Sequence, residues 1–159
     1  MVTIKTAREI DLMRKSGAIA AEALMRGGEA VKPGVTTKHI NDVMYQFIKS
    51  KNATPSFLNY GGFPAAACIS VNEEVIHGIP SERRIEDGDI VSIDVGVLLN
   101  GYHSDNAATF CCGDVSAEAK KLVEVTKQCF YEGIANAVVG NRLGDIASAV
   151  QTHAEAHGY

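Results

Sequence analysis

The sequence has no tryptophan and only four cysteines and four prolines in 159 residues, and its acids outnumber its bases, 19 to 15. A formal charge of -4 argues against a nucleic-acid-binding face, because a surface that neutralises phosphates is rich in Lys and Arg. No apolar run approaches the roughly 20 residues needed to cross a bilayer. The first residues, MVTIKTAREIDLMRKSG, are amphipathic and carry acids, so they lack the basic start, apolar stretch and cleavage site of a secretory signal. Cys68, Cys111, Cys112 and Cys129 form no staple framework, and a chain of this length buries a core without one. Reduced cysteines in a cytoplasmic protein are the simplest reading. Cys111 and Cys112 are adjacent in a strand-like run, where side chains alternate between faces, so they make a poor metal pair.

What is present reads as one α/β domain over residues 1-159. Thr6 followed by Glu9 is a capping-box signal, and Ile10, Met13, Gly17, Ala20, Ala21 and Leu24 line one side of a helix expected to stop at Gly27-Gly28. A second helix is marked by Ile40, Val43, Met44, Phe47 and Ile48 and ends near Lys51-Asn52. Strand patterns follow at Ala65 to Val71, Glu74 to Ile79, Asp89 to Leu99 and Tyr102 to Cys112, separated by turn-like stretches. Two more helices are expected, at about Ser116 to Val138 and Leu143 to Ala156, with Gly158 as the cap.

This order resembles one and a half copies of a single unit. Sliding the chain by 106 residues places Gly34 on Gly140, Leu24 on Phe130, Ile40 on Ile146 and Met44 on Val150. The expected division is a first pseudo-repeat half, 1-112, and the start of a second, 113-159, without its strands. The chain is therefore expected to be the front part of a longer protein, with a sheet edge and apolar surface left to favour self-association.

Two acids stand out. Asp94 lies inside the apolar strand of Ile90, Val91, Ile93, Val95 and Val97, and Asp105 follows the Asn100-Gly101 turn. A two-residue turn pairs Leu99 with Tyr102, Asp94 with Ala107 and Asp105 with Gly96. Both carboxylates then project from one face as diagonal neighbours, and Gly96 is expected to leave open space beside them. Like charges on hydrophobic strands repel and lose hydration. A shared proton relieves them, and so does a cation. Two divalent ions about 3.5 to 4 Å apart, with a water between them, suit bridging carboxylates, and an oxygen-rich site fits Mg, Mn, Fe or Co better than a thiolate zinc centre. The alternative is that Asp105 caps the loop or faces water.

His77 precedes Gly78-Ile79-Pro80, a sequence that fixes a turn and can hold an imidazole at a cavity edge. There it would hydrogen-bond a substrate carbonyl or carry a proton; a structural histidine is the alternative. The segment FLNYGGFP, Phe57 to Pro64, is a glycine-bent loop with three aromatics, and Cys68 follows it. Together they could wall an apolar pocket suited to an unbranched side chain, or simply cover the core. His153 and His157 have the spacing of a helical zinc pair without its glutamate, and read as helix-surface residues. His39 reads as a partly buried structural group.

The segments NYGGFPAAACISVNEEVIHGIP and DGDIVSIDVGVLLNGYHSDNAATF, with VKPGVTT before the second helix, resemble the front of the bacterial-type, type I methionine aminopeptidases. Those enzymes remove the initiator methionine from new proteins. The likeness rests on His-Gly-Ile-Pro and both aspartates at their eleven-residue separation. It implies a pita-bread fold, with two pseudo-symmetric α/β halves around two divalent ions (Co, Mn, Fe or Zn). It also implies Asp94 and Asp105 as metal ligands, His77 as the catalytic histidine that contacts substrate, and Tyr60, Phe63 and Cys68 in the methionine pocket. Phe57 stands where a smaller cysteine is common and is expected to narrow that pocket. The implied partners are N-terminal peptides of nascent proteins, met at the ribosome, and the whole enzyme is expected to be a monomer. The family's remaining histidine and two glutamate ligands, and a second active-site histidine, would lie beyond Tyr159. A non-catalytic peptide- or protein-binding module of the same fold, and a prolidase- or creatinase-like hydrolase, are the competing classes.

Overall fold

The computed structural model describes residues 3–159. Helices α1 (Ala7–Glu29) and α2 (Thr37–Ser50) precede strands β1 (Thr54–Pro55), β2 (Ala67–Val71), β3 (Ile90–Leu99) and β4 (Tyr102–Cys111). Helices α3 (Ala117–Ala135) and α4 (Leu143–Ala156) follow. The chain forms two compact units, Met1–Val115 and Ser116–Tyr159.

In the first unit β3 is the middle strand of an antiparallel sheet. It pairs with β4 along its whole length on one side, and with β2 and then the two-residue β1 on the other. Asn100 and Gly101, at φ 52° and 84°, make the tight turn that pairs Leu99 with Tyr102. Both positive angles are what a two-residue hairpin of this hand requires. Alternation along β3 then sorts its side chains. Val91, Ile93, Val95 and Val97 are fully buried in a core with Ala20, Leu24, Ile40 and Met44. Each such burial contributes about 1.5–3 kcal/mol. Ser92, Asp94, Gly96 and Leu98 are left for the opposite face.

Helix α1 begins with the Thr6–Glu9 capping box but does not stop at Gly27-Gly28. The glycines serve packing instead. A Cβ on Gly27 would lie 2.6 Å from Met44 Sδ of α2, and one on Gly28 would lie 2.1 Å from the Phe110 ring of β4. The buried stripe runs through Ser16, Ala20, Ala23, Leu24 and Gly27, whereas Ala21 faces solvent. Ser16 is the polar member of that stripe: its Oγ donates to Val97 O at 2.7 Å and lies 3.0 Å from Ser104 Oγ. His39 is exposed rather than partly buried. It sits in the first turn of α2, off the stripe, where its N–H is capped by Thr36 Oγ1.

The strand expected over Glu74 to Ile79 is an irregular loop. Asn72 turns at φ 55°, and a Glu74 carboxylate oxygen accepts from the Val71 N–H, which ends the extended run. Farther along, Gly78 also meets β2: its carbonyl accepts from Ile69 N–H at 2.9 Å, and its own N–H goes to Ser70 Oγ rather than to backbone. Val75, Ile76 and Ile79 are consequently exposed at 80%, 68% and 58%.

The second unit, like the first, opens on two successive helices. Moving the bounds of α2 by the 106-residue offset gives those of α4, and the C-terminal bound of α1 falls on that of α3. Gly34 and Gly140 both have positive φ, 84° and 101°. Gly133, equivalent to Gly27, approaches Val150, equivalent to Met44: a Cβ there would lie 2.9 Å from Val150 Cγ2. Helix α3 ends at Ala135, short of Val138, with Asn136 as its cap.

Candidate functional site

The site is built on the open face of the sheet. Cys68 of β2, Asp94 of β3 and Ala107 of β4 form one row across it. In the next row Asp105 of β4 pairs with Gly96 of β3, whose carbonyl accepts from Ser56 N–H at 2.8 Å. The two carboxylates are thus diagonal neighbours. Gly96 does not leave open space beside them. A Cβ on it would lie 2.7 Å from the Phe57 ring and 2.9 Å from Ser56 Cβ, so the aromatic loop fills the gap that glycine creates.

Asp94 is half-buried, and its Oδ1 is enclosed without a hydrogen-bond partner. Burial pushes its pKa up to about 6, reinforced by a proton shared with Asp105 and by that neighbour's charge, while His77 acts weakly the other way. Among the described residues no donor reaches Asp94 Oδ1, whereas Asp105 is exposed to solvent. Burial also raises the Cys68 thiol to about 11, helped by the charges of Asp94 and Asp105. It is therefore a thiol at neutral pH, in keeping with a small apolar wall.

An enclosed, unpartnered carboxylate oxygen next to a second carboxylate fits a hard divalent cation. Among the described residues no group of three or more His, Cys, Asp or Glu side chains could hold a metal, so the two aspartates are a partial set. His153 and His157 do not extend it. Their rings lie 4.4 Å apart on α4, and His157 Nδ1 is 2.8 Å from the His153 carbonyl. Cys111 is exposed and Cys112 buried, as opposite faces require.

His77 is exposed and held at φ 60°, a left-handed conformation that costs a residue with a Cβ about 1–2 kcal/mol. The adjoining Gly78 anchors it: a Cβ there would lie 2.2 Å from Ile69 O, so only glycine lets the loop sit this close to β2. Phe57 and Phe63 are half-buried, and Tyr60, in the single turn Tyr60–Gly62, is 81% exposed. An open groove of about 530 Å³ runs beside the pair, lined by Ser56, Phe57, Tyr60, His103 and Asp105 with Met13 of α1. Asp94, Cys68 and His77 stand outside it. Ser56 and His103 escaped the sequence reading, although period-two alternation places His103 on the face of Asp105.

A helix-backed antiparallel sheet with a carboxylate pair on its other face defines a class, the pita-bread fold of metal-dependent peptidases. Residues 11–159 match the model of metallopeptidase family M24, and the chain belongs to that family. Over its whole length it is 51% identical to a methionine aminopeptidase of Clostridium acetobutylicum, of which it spans 64%. The crystal structure of methionine aminopeptidase from Rickettsia prowazekii matches all of the chain with a TM-score of 0.97 at 44% identity, and the chain again spans 64% of it. The prolidase from Pyrococcus furiosus shares the fold at 25% identity, with a TM-score of 0.84 over 98% of this chain and 45% of its own. Among the described residues no helix is long and apolar enough to cross a membrane.

Proposed function

We propose that this chain supplies the first two metal ligands and part of the substrate pocket of an aminopeptidase that removes the initiator methionine from nascent proteins in the cytoplasm, close to the ribosome. The observation that carries the reading is the diagonal pair Asp94 and Asp105 with its enclosed, unpartnered oxygen, in a chain whose relatives over its full length are methionine aminopeptidases. Two divalent ions, drawn from Mn, Co, Fe and Zn, would supply Lewis acidity and an activated water when bound.

Asp94 and Asp105 would hold the ions and would give up their shared proton to do so, which would exchange mutual repulsion for attraction. His77, near enough for its charge to act on Asp94, hydrogen-bonds the scissile carbonyl. Phe57, Tyr60, Phe63 and the protonated Cys68 enclose the unbranched methionine side chain. Phe57, packed over Gly96, narrows that pocket. The pseudo-repeat reading gives 1-112 as the first half of the catalytic domain and 113-159 as the start of the second.

The test is a chimera in which this chain is continued by the C-terminal third of the Clostridium acetobutylicum relative. It should release methionine from Met-Ala-Ser with Mn, Co or Fe and lose that activity on Asp94→Asn. A folded, metal-loaded chimera that releases none overturns the reading, and one that cleaves only Xaa-Pro peptides makes the chain prolidase-like.

A further inference from the structure

The hydrogen bond between Ser56 and His103 joins two strands that are not neighbours. Ser56 directly follows β1 and His103 lies on β4, with β3 between them; Ser56 Oγ and His103 Nδ1 are 2.8 Å apart. The bond is a strut across the open face of the sheet. It reaches over β3 where Gly96, which presents no side chain, is paired with Asp105.

Few other contacts fix the start of the aromatic loop. Strand β1 pairs at two residues only, Thr54 with Leu98 and Pro55 with Val97, and Ser56 N–H adds one bond to Gly96 O. Beyond that, the loop bonds to itself, Tyr60 N–H to Phe57 O and Asn59 N–H to Phe63 O. Phe57 is therefore located by its packing over Gly96 and by the residue before it. The far end of the strut, His103, is two residues from Asp105 on the same strand face, and Ser56, Phe57, His103 and Asp105 line the same groove.

We propose that His103, acting through Ser56, is a positioning residue that sets the aromatic loop against the carboxylate pair and so determines how tightly the site grips the side chain of the first substrate residue. The proposal deepens the reading given above and rests on it for the identity of that side chain. It assigns His103 no contact with the reacting atoms.

The experiment uses the whole 159-residue chain. Amide hydrogen exchange is followed at Asn59, Tyr60 and Phe63, whose N–H groups bond within the loop, and at Ile93 in the middle of the sheet. His103→Ala and Ser56→Ala should each speed exchange in the loop about tenfold while leaving Ile93 unchanged. His103→Asn, which keeps a hydrogen-bonding atom near the Nδ1 position, should restore slow exchange. Equal loop protection in His103→Ala and the unaltered chain overturns the strut, as does a loss that spreads to Ile93 or that His103→Asn fails to rescue.

The same variants are placed in the chimera and assayed with Met-Ala-Ser. KM should rise about three- to tenfold with kcat within about twofold, and Mn affinity by calorimetry should not change. A fall in kcat at constant KM, or a parallel loss of Mn affinity, counts against a role confined to side-chain grip. If the unaltered chimera releases no methionine, the functional reading fails, and the exchange data still decide the strut.

Discussion

Asp94 and Asp105 share one sheet face but occupy adjacent rows, Asp94 opposite Ala107 and Asp105 opposite Gly96. This offset lets the carboxyl groups meet across the diagonal, and it follows from a two-residue turn. An odd loop would have sent the acids to opposite faces. The repulsion it creates has consequences for stability as well as for metal binding.

The first consequence concerns pH. Asp94 titrates at about 6 in the folded chain against an ordinary 3.8, so the folded state holds its proton more tightly than the unfolded state does. Its stabilising contribution is complete below about 3.8 and is lost as pH rises through about 6. In chelator, Asp94→Asn should therefore raise the melting temperature at pH 7.5 but have little effect at pH 4. The change should be a few degrees, since 1 kcal/mol is worth roughly 2–4 °C in a chain of this size. Urea or thermal melts at both values check the sign. An equal effect at both would mean that neither burial nor Asp105 raises the Asp94 pKa in the folded chain.

Gly78 should tolerate no side chain. A Cβ there meets backbone, 2.2 Å from Ile69 O, which has no rotamer to give. Gly78→Ala should push the His77 loop off β2 and break the Ile69 N–H to Gly78 O bond. A loss of about 1–3 kcal/mol is expected, with hydrogen exchange at Ile69 accelerated. Unchanged protection there would show that the loop position does not depend on this close approach.

Gly28 offers a contrast with helix propensity. Alanine in a helix interior is favoured over glycine by about 1 kcal/mol, yet a Cβ on Gly28 would lie 2.1 Å from the Phe110 ring. The overlap should win. Gly28→Ala should destabilise by about 1–3 kcal/mol, and Phe110→Leu should recover part of it in the double variant. Additive losses in denaturant titrations would exclude the contact as the cause.

Period-two alternation made much of the site legible. Together with the two-residue Asn100-Gly101 turn it located the β3/β4 hairpin, its register and the common face of Asp94 and Asp105, because the turn sets the pairing and alternation then sends both acids to one side. Elsewhere the same local signals misled. Gly27-Gly28 reads as a helix stop, but here the glycines admit Met44 and Phe110, partners distant in sequence. Val75, Ile76 and Ile79 read as strand, but the Asn72 turn and the left-handed His77 break the extension. Strand β1, two residues including a proline, carries no pattern to find. The strut from Ser56 to His103 spans 47 positions, and nothing local in either residue announces the other.

The 159-residue chain by itself should hold divalent ions weakly and release little methionine. Asp94 and Asp105 offer at most four carboxylate oxygens, whereas no third protein ligand joins them among the described residues. Water alone completing the coordination leaves an ion loosely placed. Loose placement is costly in catalysis, where an error of about 1 Å lowers the rate roughly a hundredfold. The aspartates still give the first ion a foothold, because it replaces a shared proton and satisfies the orphaned Asp94 oxygen. Calorimetry with Mn should therefore detect weak binding that Asp94→Asn and Asp105→Asn each abolish, and that weakens as pH falls below about 6. Methionine release from Met-Ala-Ser should stay near background with Mn, Co, Fe or Zn. Substantial turnover that disappears on Asp94→Asn would require further ligands, and His153 and His157 would be the first to replace. Tight binding without turnover would instead mean that two carboxylates suffice to seat the metal and that only the remainder of the catalytic constellation is missing.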